Sequence, residues 1–346
     1  MGDEVADDEA MMRRAIAAAA RVRTTTSPNP WVGCVVRTPA GEVHDGSTAP
    51  PGGPHAEVAA LAAAGDGTRG ATAWATLEPC SHHGRTGPCV DALLAAGVAR
   101  VVVGIVDPDE RVAGSGVARL RKAGVQVDVG VAADEVAAQL APYVVHRRTG
   151  RPLVVLKLAA SLDGRTAAPD GTSQWITGVE ARTDAHRLRA ESDAVLVGAG
   201  TVRADDPSLT VRHVAGPDPL RVVLGRAPEG AKVHPALELE GDLLEVLDVL
   251  GGKGVLQLLV EGGAGVAGAF HRAGLVDRYV VYLAPTLFGG DDAPGLFAGP
   301  GASTMAEVWS GRIDAVTRLG ADLRVDLSAV PDRPHPLPPV PAGGVA

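Results

Sequence analysis

The chain has 346 residues, long enough for two ordinary cores, and its 46% hydrophobic content argues against a disordered polymer. The net charge is −9, shared as −3 over 1–150 and −6 over 151–346, and aromatics are only 3%. Neither half therefore has the basic, aromatic-rich character of a nucleic-acid binder, no run of about eighteen apolar residues would span a membrane, and three cysteines do not make a disulfide framework.

In chain order, apolar residues at helical spacing (Met12, Ile16, Ala19, Ala20) predict an opening helix over 8–23, after an acidic start, MGDEVADDEAMMRR, without a signal segment. Val32 to Val36 reads as a strand holding Cys34. The stretch PPGGPHAEVAALAAAG, 50–65, is a Pro/Gly loop running into an alanine-rich helix that starts near His55 and stops at Gly65. ATAWATLEP predicts a strand, CVDALLAAGVARVVVGIVDP a helix and a strand at 100–106, and SGVARLRKAGVQVDVG a further helix–strand pair. Such alternation implies a mostly parallel sheet covered by helices. Helical pattern over 133–148 ends in HRRTGRP, which reads as a hinge. A second alternation follows, with strands at 153, 194–198, 220–224, 255–260 and 276–284 and no visible strand in 227–254. VTRLGADLRVDL reads as an antiparallel edge hairpin, and the Pro/Gly-rich segment 329–346 as a disordered tail.

Two of the three cysteines fall in TLEPCSHHGRTGPC, 76–89. Thiolate and imidazole suit zinc, and His55, Cys80 and Cys89 supply three ligands, leaving a fourth tetrahedral position for water. Glu57, two residues beyond His55, lies near such a metal without ligating it and can carry a proton from water to a leaving amine. H-x-E followed by P-C-x-x-C marks zinc nucleobase deaminases, but here eight residues separate the cysteines instead of two. A structural zinc site would take Cys34 as a fourth ligand; a cysteine inside an apolar strand equally fits the core. His82 and His83 either line the ribose-phosphate side of a substrate or sit in a solvated loop, and Arg85 and Thr86 either grip phosphate or are surface residues.

PHAE with the long-spaced TLEPCSHHGRTGPC, together with TSPNPWVGCVV (26–36) and DPDERVAGSG (107–116), resembles the family of bifunctional riboflavin-biosynthesis proteins. In these a diaminohydroxyphosphoribosylaminopyrimidine deaminase is fused to a 5-amino-6-(5-phosphoribosylamino)uracil reductase. The resemblance implies that Asn29 lines the pyrimidine site. Trp31 departs from it, standing where a small polar residue is expected and so at the pocket edge.

In the second half, VEGGAGVAGAF, 260–270, sets Gly263, Gly265 and Gly268 between a predicted strand and helix, where backbone amides can approach a phosphate. As a Rossmann fingerprint it fails: it comes late in the domain, and the next strand, YVVYLAP, ends in proline with no acidic residue. KLAASLDGRTA, SQWIT, LVGAGTVRADDPSLTVR and VEGG instead resemble the reductase half of the same family, whose fold is like dihydrofolate reductase. That resemblance implies NADPH contacts from Ala159, Trp175, Thr201, Asp205, Gly263, Ala264, Gly265 and Gly268. It implies substrate contacts from Ser173, Arg189, Leu209, Arg212 and Glu261. Asp163, Asp205 and Glu261 are the candidate proton donors, and Lys157, one of four lysines, reads as a solvated strand-end residue. Gly225 and Arg226 stand where an acidic residue and a serine are expected; Arg226 either meets the 2′-phosphate of NADPH or marks weakened cofactor binding.

The expectation is an α/β chain: a cytidine-deaminase-like three-layer domain over 1–148, zinc-dependent, then a dihydrofolate-reductase-like NADPH domain over 149–328. Two consecutive reactions on one phosphoribosyl pyrimidine follow, deamination and then reduction of ribosyl to ribityl. The alternative is a deaminase with an inactive or redirected reductase. Partners are expected to be the small-molecule substrate and a second copy of the chain in a homodimer, without nucleic acid or membrane, and the compartment the cytoplasm.

Overall fold

The computed structural model describes residues 2–83, 87–110 and 112–329, which fall into two compact units divided after Arg151. The proposed tail lies outside the described residues except for Ala329, the last residue of a strand.

In the first unit, helix α1 (Gly2–Ala20) precedes β1 (Gly33–Arg37) and β2 (Val43–Ser47). There follow α2 (Ala56–Ala64), β3 (Thr72–Leu77), α3 (Cys89–Ala95), β4 (Arg100–Ile105), α4 (Ser115–Lys122), β5 (Gln126–Val129), α5 (Ala133–Gln139) and α6 (Ala141–Thr149). The strands order as β2-β1-β3-β4-β5, with β1 antiparallel to both neighbours and β3, β4 and β5 parallel.

Three layers follow from the register. Gly33 pairs Ser47 and Cys34 pairs Gly46, so Gly33 and Gly46 point to opposite faces. A Cβ on Gly33 would meet the Ala15 carbonyl of α1 at 1.9 Å, and one on Gly46 the Ala56 carbonyl of α2 at 2.2 Å. Helices α1 and α2 therefore cover opposite faces, each pressed against a glycine. Buried Asp8 fastens α1 to the sheet by accepting from Trp74 Nε1 (2.9 Å) and from both terminal nitrogens of Arg100 (2.8 and 2.7 Å).

The second unit carries β6 (Leu153–Ser161), α7 (Val179–Ala190), β7 (Ala194–Gly198), α8 (Ala199–Asp205), β8 (Leu220–Leu224), β9 (Leu237–Leu239), α9 (Leu243–Gly252), β10 (Gln257–Val260), α10 (Ala264–Arg272), β11 (Arg278–Ala284), β12 (Gly311–Leu319) and β13 (Asp322–Ala329). The sheet runs β12-β13-β11-β6-β10-β7-β8-β9, parallel from β11 to β9 and closed at the other edge by the antiparallel β13 and β12. The central strands read as continuous apolar runs (LVVL, AVLV, LLV) because helices cover both faces of a parallel sheet. Leu156, Leu196, Leu258 and Phe270 are fully buried there.

Two sequence expectations change. A strand does lie within 227–254: β9 is three residues long and pairs in parallel with β8, too short to show a period. The helical pattern over 133–148 is two helices, broken at Leu140, where the backbone leaves the α region.

Candidate active sites

The first site forms where β3 ends and two helices begin. His55 is the N-cap of α2, Cys80 follows β3 by three residues, and Cys89 opens α3. Cys80 Sγ lies 3.6 Å and Cys89 Sγ 3.2 Å from His55 Nδ1, and the three donor atoms lie within 4.8 Å of one another. Two thiols and one imidazole at this separation fit a tetrahedral zinc with one position left for water. The backbone N–H of Cys89 donates to Cys80 Sγ at 3.3 Å, so the positive end of α3 faces a sulfur that binds metal as thiolate. The Cys89 thiol beside it, aided by His55 and the Cys89 N–H and opposed by burial, holds the Cys80 thiol well below the usual thiol range. Cys34 is fully buried on the α2 face of β1 and is not part of the ligand group.

Glu57, in the first turn of α2, is 4% exposed, and burial pushes its carboxyl up to about 7. It lines a cavity of about 600 Å³ with His55, Cys80, Asn29 and His82. Asn29 is presented by a turn in which its backbone N–H donates to the Thr26 carbonyl at 2.8 Å. The far wall comes from Asp107, Asp109 and Val112, and from Tyr143 and Arg147 of α6. Tyr143 donates its hydroxyl to Asp107 at 3.1 Å, and the Arg147 guanidinium lies 5.0 Å from the Tyr143 ring centroid. Nothing in the local pattern of α6 marks it as a wall of this cavity. Its Tyr143 and Arg147 are one helical turn apart, but their partners lie about 40 residues away. Trp31 is not at the pocket edge: it is 3% exposed, with Arg23 over its ring at 4.8 Å. His83 borders an adjoining cavity of about 520 Å³, and Arg85 and Thr86 lie outside the described residues.

In the second unit the expected residues gather at the C-terminal ends of parallel strands, where sheets of this kind bind ligands. Ala159 is near the end of β6, Thr201 lies in α8 just after β7, and Glu261 and Gly263 follow β10. Because β10 lies between β6 and β7, these segments are neighbours. Gly263 caps α10 without a side-chain bond, its own N–H donating to Thr201 Oγ1 at 3.1 Å. The N–H groups of the first α10 turn, Ala264 and Gly265, have no acceptor within the helix and fit a cofactor phosphate. Gly268 serves packing instead: a Cβ there would stand 2.2 Å from the Ala298 carbonyl. Asp205 is exposed at the last turn of α8.

Glu261 has a side chain 6% exposed, between Arg189 (Nε to Oε1 2.5 Å, Nη2 to Oε2 3.1 Å) and Lys157 (Nζ to Oε2 3.6 Å). Burial raises its carboxyl, but Arg189 and Lys157 outweigh that and hold it down to about 2. Lys157 is thus one arm of a buried ion cluster and not a solvated strand end. Arg189 also reaches the Thr210 carbonyl at 3.1 Å, and the Arg212 backbone N–H donates to His186 Nδ1 at 3.1 Å. Arg189, Leu209 and Arg212 are therefore drawn together. Leu209 is 3% exposed at a φ of +53°. Ser173 and Trp175 line a separate cavity of about 290 Å³ with Thr286, Leu287 and Phe288, and Trp175 is 68% exposed beneath the Arg182 guanidinium. Arg226 pairs with exposed Glu240 at 3.0 Å.

Residues 5–105 match the family described as the cytidine and deoxycytidylate deaminase zinc-binding region, and 152–323 match the RibD C-terminal domain. The chain is 41% identical to riboflavin biosynthesis protein RibD of Escherichia coli K12, over 92% of this chain and 99% of that protein. It is 44% identical to RibD of Mycobacterium tuberculosis H37Rv, over 93% and 97%. Among solved structures, Acinetobacter baumannii RibD superposes with a TM-score of 0.88 at 38% identity, covering 94% of this chain and 99% of that one. The Thermotoga maritima diaminohydroxyphosphoribosylaminopyrimidine deaminase/5-amino-6-(5-phosphoribosylamino)uracil reductase gives 0.85 at 32% identity, covering 94% and 100%.

Proposed function

The chain belongs to the RibD family, the bifunctional deaminase–reductases of riboflavin biosynthesis, and from that premise we propose how its own residues divide the two reactions. The observation that carries the assignment is the His55–Cys80–Cys89 group, with buried Glu57 lining one cavity together with His55 and Cys80. When bound there, zinc acidifies water and so supplies a nucleophile at neutral pH. Glu57 accepts a proton from the water whose oxygen bonds to the amine-bearing carbon of 2,5-diamino-6-(5-phosphoribosylamino)pyrimidin-4-one, and returns a proton to the amine nitrogen as its C–N bond breaks and ammonia leaves. A carboxyl raised to about 7 suits both acceptance and donation near neutrality. Asn29 holds the pyrimidine edge, and Arg147 brings a cation to the same cavity for the phosphoribosyl side.

In the second unit NADPH would supply a hydride equivalent for C1′ of the ribosyl group, whose bond to the ring oxygen breaks while that oxygen takes a proton, giving the ribityl chain. Ala159, Thr201, Asp205 and the Gly263–Gly265 turn hold the cofactor, with Trp175 offering its exposed indole face. Ser173, Arg189, Leu209 and Arg212 hold the substrate, the arginines suited to phosphate. Glu261 is ionised and enclosed by cations, so it positions Lys157 and Arg189, and Lys157 is the proton donor of choice. Asp163 is spoken for: its Oδ2 accepts the N–H groups of Phe288 and Gly289, both at 2.9 Å.

No helix among the described residues is long and apolar enough to cross a membrane. Free thiols and an NADPH requirement fit the cytoplasm. The outer strand β12, with Ile313 59% and Val316 57% exposed, supports a homodimer, and the acidic charge speaks against nucleic acid as a partner.

Incubating the purified protein with the diaminopyrimidine substrate, with and without NADPH, tests the assignment by mass spectrometry. Deamination alone is expected without NADPH, and a further gain of two hydrogens with it. Deamination that never proceeds to reduction overturns the reductase half, and no reaction overturns both.

A further inference from the structure

We propose that Glu78 is a positioning residue of the deaminase site: its buried carboxylate ties the cavity wall formed by Asp107, Asp109 and Val112 to the strand end that carries Cys80, and so sets the pocket's affinity for the pyrimidine. The proposal rests on the deaminase reading of this cavity. Glu78 follows β3 directly, stands two residues before Cys80, lines the cavity and is 3% exposed. A second carboxylate beside the metal group invites assignment as another acid or base, and its bonding excludes that role. Oε2 accepts the N–H groups of Asp107 (3.1 Å) and Gly114 (2.8 Å), and Oε1 those of Gly116 (2.8 Å) and Val117 (3.0 Å). An ionised carboxylate offers about four acceptor positions, and all four are taken by main chain.

These four donors need that carboxylate. The β3–β4 ladder stops at the bond from Glu78 N to the Ile105 carbonyl, so Asp107 has left the sheet. Gly116 and Val117 are in the first turn of α4, whose N–H groups have no acceptor within the helix, and a negative charge there also opposes the helix dipole favourably. Two further contacts make one block of 78–81 and 114–117. Ser81 Oγ meets Ser115 Oγ at 2.7 Å, and a Cβ on Gly116 would stand 2.0 Å from the Pro79 carbonyl. The wall hangs from this block. Asp107, held through its N–H by Glu78, accepts from the Asp109 N–H (2.9 Å) and from Tyr143 of α6 (3.1 Å). Asp107, Asp109, Val112 and Tyr143 all face the cavity.

A glutamine cannot replace Glu78 by flipping, because each oxygen takes two donors and either orientation sets an amide NH2 against two N–H groups. In full-length Glu78→Gln, zinc content by elemental analysis and reductase activity should match the unsubstituted protein. The KM for the pyrimidine should rise about tenfold to a hundredfold, the scale of leaving buried N–H donors unpaired, with kcat falling less than about threefold. An unchanged KM with zinc present overturns the proposal, as does zinc loss with a normal KM after reconstitution. Hydrogen exchange in the unsubstituted protein tests it without relying on the variant's folding: the amides of 114–117 should exchange slowly, and exchange within seconds overturns it. A protein that binds zinc and protects these amides but releases no ammonia would refute the deaminase reading and leave the clamp standing.

Discussion

Replacing Glu261 by glutamine removes the one negative charge that Arg189 and Lys157 enclose in the second unit. The pair is shielded from water, with side chains 6% and 14% exposed for Glu261 and Arg189 and 21% for Lys157. Glu261 falls from the ordinary 4.5 to about 2 because the two cations outweigh its burial. At ~1.4 kcal/mol per pH unit that is worth about 3 kcal/mol of folding stability at neutral pH. Removing one partner of a buried pair costs about 3–5 kcal/mol by direct measurement in other proteins, so two routes agree. Because the folded value is the lower one, the stabilisation is complete above about pH 4.5 and drains away as pH falls toward about 2. Calorimetry of full-length Glu261→Gln should show the second-unit transition lowered by roughly 6–12 °C, with the first-unit transition in place. The gap between the two proteins should hold from pH 7 to about 4.5 and narrow by pH 3. A gap under about 1 kcal/mol would mean that the cluster behaves as a solvated surface pair, and a gap that does not narrow in acid would mean that Glu261 is not its source.

Glu57→Gln should lower ammonia release by about 10²–10⁴-fold in kcat while one zinc stays bound and NADPH oxidation on the deaminated intermediate continues; unchanged deamination would remove Glu57 from the mechanism. Stripping zinc with a chelator, or Cys89→Ser, should abolish deamination and spare reduction, which two separate activity assays distinguish. Gly268→Ala should destabilise the second unit by about 1–3 kcal/mol, since its Cβ would stand 2.2 Å from the Ala298 carbonyl. Denaturant melts read that loss, and a neutral result would mean that the 298 turn yields freely.

The metal group was legible in the sequence because ligand chemistry restricts residue type, and His55, Glu57, Cys80 and Cys89 sit at two helix starts and one strand end that local pattern already marks. The parallel strands of the second unit were legible for a similar reason: β6, β7 and β10 are covered on both faces and are apolar over most of their length, Lys157 of β6 and Gln257 of β10 excepted. Local pattern fails for β2, VHDGS, a strand with mostly polar residues that exists through its pairing with β1. It fails again for β9, which three residues on β8 hold in place.

Residue types and near-neighbour spacing encode the candidate zinc ligands, the carboxylate proposed for acid–base work, the glycine turn after β10 and the alternation that makes two α/β units. Roles that depend on a partner far along the chain emerged only from the folded contacts. Glu78 became a four-way clamp because α4 begins over it, 36–39 residues on. Tyr143 became a cavity wall because Asp107 meets it. Lys157 ceased to be a solvated lysine because β6 and β10 are adjacent strands, which brings Glu261 within 3.6 Å. A side chain's burial and its charge partners are set by how strands order and helices stack, and no window of neighbouring residues contains that information.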